Sequence, residues 1–185
     1  MQKLALFMMV SVDGCFEGPD HDLSWHNVDV EFNEFADAQL GEFGALLFGH
    51  RTYDLMEGFW PTEKGQAVPG TAQIMNAMPK FVVSHKPFEA KWGSTTAVTG
   101  DDVIGQVSRL KEGSGKGILL LGSNMLCVSL MEAGLVDEFR LMANPVALGA
   151  GTPLFAGISK RFPLKLESVQ RFRSGNVLEC YIPAG

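Results

Sequence analysis

The chain has 185 residues, of which 46% are hydrophobic and 19% charged, enough for one domain with a real core and too apolar for a disordered segment. Its net charge of −6 argues against the extended basic face that nucleic-acid binding needs, but leaves room for a local basic pocket around one small phosphorylated ligand. Cys15, Cys127 and Cys180 are odd in number, far apart and outside any CxxC pattern, so reduced and mostly buried thiols are expected, with no disulfide framework and no metal site.

The N-terminal MQKLALFMMVSVDGC has the outline of a short export signal. Its apolar run is short, however, Asp13 interrupts the approach to Cys15, and no A-x-A site follows. It reads as a buried first strand over 3–12. No apolar run approaches the ~20 residues of a membrane span, and the expected location is cytoplasmic.

Residues 13–27 are rich in turn formers, and His21 and His26 read there as solvated loop residues. Residues 28–43 read as a helix, with Val28, Phe32, Phe35, Gln39/Leu40 and Phe43 near the 3.6 period and Asn27 as its cap. A second strand is expected at 45–49, a helix at 52–58, a Pro/Gly loop at 61–70 and a short helix at 71–77. Strands follow at 80–84 and, more weakly, 95–98. A helix over 101–112 takes Asp101 as cap. Then come a buried strand at 117–122, a helix ended by Gly134, and a strand region at 137–148. Two last strands, 164–173 and 176–182, flank a hairpin turn at Ser174-Gly175. Strands that alternate with helices, followed by strands alone, predict an α/β fold. Its central sheet is mostly parallel, with helices on both faces and an antiparallel C-terminal edge.

Ligands of parallel sheets gather at the carboxyl ends of strands, and three such ends carry suitable chemistry. At Gly49-His50-Arg51-Thr52, glycine permits close backbone approach, a helix start offers free N–H groups, and Arg51 supplies a planar multi-donor cation. Ser84-His85-Lys86 offers a hydroxyl and two basic groups. Gly122-Ser123-Asn124 opens a helix with small residues, where Ser123 or Asn124 serves equally well as an ordinary cap. A dinucleotide with several phosphates would use all three. Basic rather than acidic residues at these ends favour NADPH over NADH. GSGKG at 113–117 lacks the Ser or Thr of a P-loop and precedes its strand instead of following it.

On the substrate side, Asp13 shapes a turn, and Trp25 suits either stacking on a planar heterocycle or core packing. Glu31 lies beside Phe32 and one turn from Phe35, a setting that would raise its pKa and suit it to relay a proton.

Together SVDG, LLFGHRTYDLM, PKFVVS, LLLGSNML and GLVDEFRLMANPVALGAGTPLF resemble the dihydrofolate reductase-like superfamily. The chain is most similar there to stand-alone proteins like the C-terminal reductase domain of the riboflavin-pathway deaminase/reductase. The resemblance spans nearly the whole chain. It implies an NADPH-dependent reductase, commonly a homodimer, acting on a small molecule. It assigns Gly49, His50, Arg51 and Thr52 to cofactor phosphates, and Ser84 and His85 to the 2′-phosphate. Gly122, Ser123 and Asn124 go to the diphosphate, with Met9 and Leu126 as further cofactor contacts. Asp13, Phe16 and Trp25 would face the substrate, and EFNEF points to Glu31 as the acidic residue. Where riboflavin-type reductases carry a lysine in strand one and a glutamate before the glycine turn, this chain has Phe7 and Leu121. The expected activity is hydride transfer from NADPH to a pterin-, folate- or pyrimidine-type ring, with Glu31 assisting protonation. The alternatives are a non-catalytic nucleotide- or pterin-binding protein and a 5-amino-6-(5-phosphoribosylamino)uracil reductase.

Overall fold

The first apolar run forms β1 (Leu4–Ser11), an interior strand of an eight-stranded sheet in the computed structural model, which describes residues 1–185. After it come β2 (Cys15–Glu17), α1 (Val30–Glu42), β3 (Phe43–Gly49), α2 (His50–Glu57), α3 (Glu63–Gln66) and α4 (Pro69–Ala77). The middle of the chain supplies β4 (Lys80–Ser84), β5 (Thr95–Thr99), α5 (Val103–Lys111), β6 (Gly117–Leu120) and α6 (Asn124–Glu132). The remainder is β7 (Glu138–Asn144), β8 (Thr152–Pro153), β9 (Leu164–Arg171) and β10 (Val177–Pro183). The sheet order is β5-β4-β3-β6-β1-β7-β10-β9, parallel from β5 to β7 and antiparallel at β10 and β9. A separate two-stranded ribbon joins β2 to β8.

Both faces of the sheet are covered, which is why its inner strands read as unbroken apolar runs. Leu4 and Leu6 of β1 and Ile118 and Leu120 of β6 pack with Leu126 and Leu130 of α6 on one face. Ala5 and Leu119, of opposite parity, pack with Leu40 of α1, Tyr53 of α2 and Met75 of α4 on the other. No helix is long and apolar enough to cross a membrane.

Several element boundaries differ from expectation, each for a local reason. The cap of α1 is Asp29, whose carboxylate accepts from the Phe32 N–H at 2.8 Å; Asn27 instead ties its backbone N–H to Asn144 Oδ1. Helix α5 is capped by Asp102, which accepts from the Gly105 N–H, and not by Asp101. Helix α2 begins at His50, directly after Gly49, so His50 and Arg51 occupy its first turn. Strand β7 stops at Asn144 because Pro145 has no N–H to continue the ladder. The loop at 61–70 contains α3.

Candidate active site

The carboxyl ends of β3, β4 and β6 lie side by side, because β3 pairs in parallel with both neighbours. Above them is an open groove of about 840 Å³ whose walls include His50, Arg51, His85, Lys86, Ser123 and Leu126. Gly49 is where two strand ends converge. Its N–H donates to the Gly122 carbonyl at 2.7 Å, and a Cβ there would lie 2.8 Å from Ser123 Oγ. Gly122 has φ 107°, the left-handed region that favours glycine, and a Cβ on it would meet Thr52 Oγ1 at 3.1 Å. The Gly122–Ser123 peptide is cis. Ser123 sits at the N-cap of α6 but makes no side-chain cap bond. Its hydroxyl and the first N–H groups of this nine-residue helix are therefore open to an anion. Thr52 and Asn124, also expected at the cofactor, are half-buried and do not line the groove.

Two expected phosphate ligands have other commitments. The Ser84 hydroxyl donates to the Lys86 carbonyl at 2.6 Å and lies 3.3 Å from His50 Nδ1, so it closes the turn after β4. Arg51 Nη2 donates to Glu17 Oε2 at 2.8 Å. Glu17 is buried in β2, and it also accepts from Thr152 Oγ1 at 2.8 Å and lies 3.1 Å from His21 Nδ1. Burial opposes its charge, yet the bonds from Thr152 and His21 and the Arg51 charge hold its carboxyl below the usual range. Arg51 thus anchors the β2–β8 ribbon to the groove. The exposed side chains of His85 and Lys86 form no ion pair, and Asp101 is the one carboxylate in the groove wall.

Helix α2 leads from this groove to a second cavity of about 310 Å³, where Met56 meets Phe7 and Met9 of β1, Phe32 of α1, Trp60 and Leu121. Leu121 lines the pocket and Ser123, two residues on, lines the groove, so the segment just after β6 has a residue in the wall of each cavity. No charged side chain lines the pocket, and its polar residues are His26, Asn33, Gln39 and Thr71. Thr71 donates to Asp37. His26 Nε2 is sealed from solvent without a hydrogen-bond partner. Burial, against the pull of Asp22, pushes the His26 pKa down to about 4. Phe7 and Leu121, the two departures from the riboflavin-type pattern, both lie in this wall.

The four expected substrate residues all lie outside the pocket. Glu31 is not in the pocket; its carboxylate accepts from the Arg173 backbone N–H at 2.8 Å and faces another groove, beside Glu34 and Arg140. Successive helix residues differ by about 100° in direction, so with Phe32, Asn33 and Ala36 facing the pocket, Glu31 points away. The Trp25 indole donates to the Asp22 carbonyl, and Trp25 stands edge-on to His26 at 4.5 Å, outside the pocket. Phe16 is half-buried in the β2–β8 ribbon. Asp13 accepts from the N–H groups of Leu148 and Gly149, at 3.1 and 2.8 Å, and so ties down the loop after β7. The Ser11 hydroxyl and these two N–H groups lower its pKa to about 2. Met9, expected as a cofactor contact, lines the pocket instead. His26, expected as a solvated loop residue, and Asn33 and Thr71 were not expected at a site; Gln39 was expected on the inner face of this helix, but without a role.

A family model for the RibD C-terminal domain matches residues 2–178. The chain belongs to this family. It is 30% identical over 183 residues to the uncharacterised protein YyaP of Bacillus subtilis, covering 97% of this chain and 94% of that one. Among solved structures it is similar to a putative riboflavin biosynthesis protein from Shewanella sp. PV-4, with TM-score 0.74, 21% identity and complete coverage of both chains. A deaminase/5-amino-6-(5-phosphoribosylamino)uracil reductase from Thermotoga maritima matches with TM-score 0.68 and 15% identity, over 99% of this chain and 57% of that one. A dihydrofolate reductase from Enterococcus faecalis complexed with NADP(H) matches with TM-score 0.63 and 12% identity, over 99% of this chain and 97% of that one. The fold is therefore dihydrofolate reductase-like, and the sheet of this chain is its mostly parallel version with an antiparallel edge.

Proposed function

We propose that the protein is an oxidoreductase of the RibD and dihydrofolate reductase type, which uses NADPH to reduce a small planar heterocycle. The observation that carries this reading is that the segment just after β6 contributes to two unlike cavities, through Leu121 in one wall and Ser123 in the other. One is a groove with a basic rim and an uncapped helix start; the other is a pocket of rings and aliphatic side chains without charge. A dinucleotide has that same division, with phosphates at one end and a flat ring at the other.

In this reading Ser123 and the first N–H groups of α6 take the diphosphate, with Gly49 and Gly122 allowing close approach. His85 and Lys86 take the 2′-phosphate. NADPH, when bound, supplies a hydride. The chain holds the acceptor ring beside Met9 and Leu121 and keeps water from it. Glu31 has no part in proton transfer. A homodimer belongs to the same reading: the outermost strand β9 is exposed, with Leu166 50% and Val169 51% accessible.

Calorimetry with NADPH and NADH tests the cofactor assignment, and light scattering tests the dimer. Loss of the reduced-nicotinamide absorbance is then followed with dihydrofolate, pteridines and aminopyrimidines. A protein that fails to bind NADPH, or binds NADH equally well, refutes the cofactor assignment. Binding without oxidation across the panel makes it a nucleotide-binding protein instead.

A further inference from the structure

Arg51 lines the groove from the first turn of α2, with 49% of its side chain exposed. Its only side-chain hydrogen bond runs from Nη2 to Glu17 Oε2, at 2.8 Å. A guanidinium carries its donors in a rigid planar fork, so a bond at Nη2 restricts the orientation of the whole group. Nε and Nη1 keep their donors unpaired.

Glu17 is placed to hold Arg51 and not to meet a ligand itself. Only 6% of its side chain is exposed, and it does not line the groove. Its other oxygen accepts from Thr152 Oγ1 at 2.8 Å and lies 3.1 Å from His21 Nδ1. Thr152 is also its cross-strand partner in the β2–β8 ribbon. The two strands close up there because residue 151 is glycine; a Cβ on Gly151 would clash with the Glu17 carbonyl oxygen. The carboxylate is therefore fixed by the ribbon, and the ribbon fixes Arg51 through it.

Two effects of Glu17 on an anion in the groove oppose each other. Pairing with a carboxylate reduces the pull of Arg51 on an anion. Against that, an unpaired arginine on an exposed helix turn gives up its rotamer freedom when it binds, and Glu17 has already removed that freedom. Charge in an open groove is screened by water and salt, whereas the loss of rotamers is not, so the second effect is the larger.

We propose, resting on the cofactor reading above, that Glu17 is a positioning residue, which holds Arg51 so that its unpaired donors meet a phosphate shared by NADPH and NADH. The β2–β8 ribbon is then part of the cofactor site without touching the cofactor.

Calorimetric titration with NADPH and NADH on the full-length wild type, Glu17→Gln, Arg51→Ala and the double variant tests this. Glu17→Gln keeps the size of the side chain and an acceptor for Thr152, and removes the charge that holds Arg51. It should weaken both cofactors by about three- to tenfold, the usual net worth of one hydrogen bond. Arg51→Ala should weaken them at least as much, and the double variant should match Arg51→Ala within about twofold, because Glu17 acts only through Arg51. In the wild type, the ¹⁵Nε resonance of Arg51 should shift on adding NADPH; an arginine that only anchored the ribbon would leave it still. This measurement needs no variant. The proposal is overturned if folded Glu17→Gln binds as tightly as wild type or more tightly, if the two losses multiply in the double variant, or if the resonance does not move. A wild type that binds no NADPH removes the cofactor assignment and this inference together. NADPH binding combined with any of the other three results removes this inference alone.

Discussion

Arg51 Nη2 lies 2.8 Å from Glu17 Oε2, joining the first turn of α2 to a buried carboxylate 34 residues earlier in the chain. The guanidinium therefore has a structural duty before any ligand arrives. Arg51→Ala should destabilise the protein by about 1–3 kcal/mol, because Glu17 keeps its charge but loses a partner. NADPH and NADH affinity should fall by similar factors. Chemical denaturation and calorimetry measure the two effects.

Discrimination between the cofactors should instead follow His85 and Lys86, the exposed basic pair in the groove wall. Replacing both with serine should weaken NADPH by roughly tenfold or more, in line with charge-assisted hydrogen bonds, and leave NADH nearly unchanged. An equal loss for both cofactors would return the pair to the solvated surface.

Gly49→Ala places a methyl group 2.8 Å from Ser123 Oγ and 3.0 Å from Ser123 N, between two strand ends that have no room to part. A loss of about 1–3 kcal/mol is expected, together with a loss of cofactor binding. Gly41→Ala in α1 meets nothing within 4 Å and should stabilise slightly, by at most about 1 kcal/mol. Thermal melts of the two variants give the contrast.

Glu31→Gln should leave kcat within about twofold of wild type, since its carboxylate bonds Arg173 and not the pocket. Removing this solvent-facing pair should cost less than about 1 kcal/mol. A large fall in kcat with a normal melting curve would restore Glu31 as a proton relay.

Burial lowers the His26 pKa from 6.5 to about 4, so on acidification the unfolded chain takes up this proton before the folded one. The contribution to stability is complete above about pH 6.5 and is lost as pH falls toward 4. Its size is on the order of 2 kcal/mol, allowing for partial exposure of the ring. The carboxyl of Asp13, held at about 2, loses its own contribution only at lower pH. Denaturation midpoints across pH 4 to 7 should therefore fall less in His26→Phe than in wild type.

By itself the sequence determined the elements and the ligand edge. Apolar runs of strand length, helical periods and glycines followed by basic residues are local signals, and their alternation leaves few ways to order a parallel sheet. That is why Gly49, His85 and Ser123 meet in one groove, as strand-end logic expects. Caps were readable only to within a residue or two, as Asp29 and Asp102 show. Tertiary structure decided which side chains face the ligand. Two positions along α1 turn a side chain by about 200°, enough to send Glu31 to Arg173 and Asn33 to the pocket. The partner of Arg51 comes from a ribbon closed by Thr152, far along the chain. The His26 ring nitrogen is closed to solvent and left without a partner, which its place in the turn-rich segment 13–27 does not foretell. Long-range packing sets such directions, and no local pattern carries them.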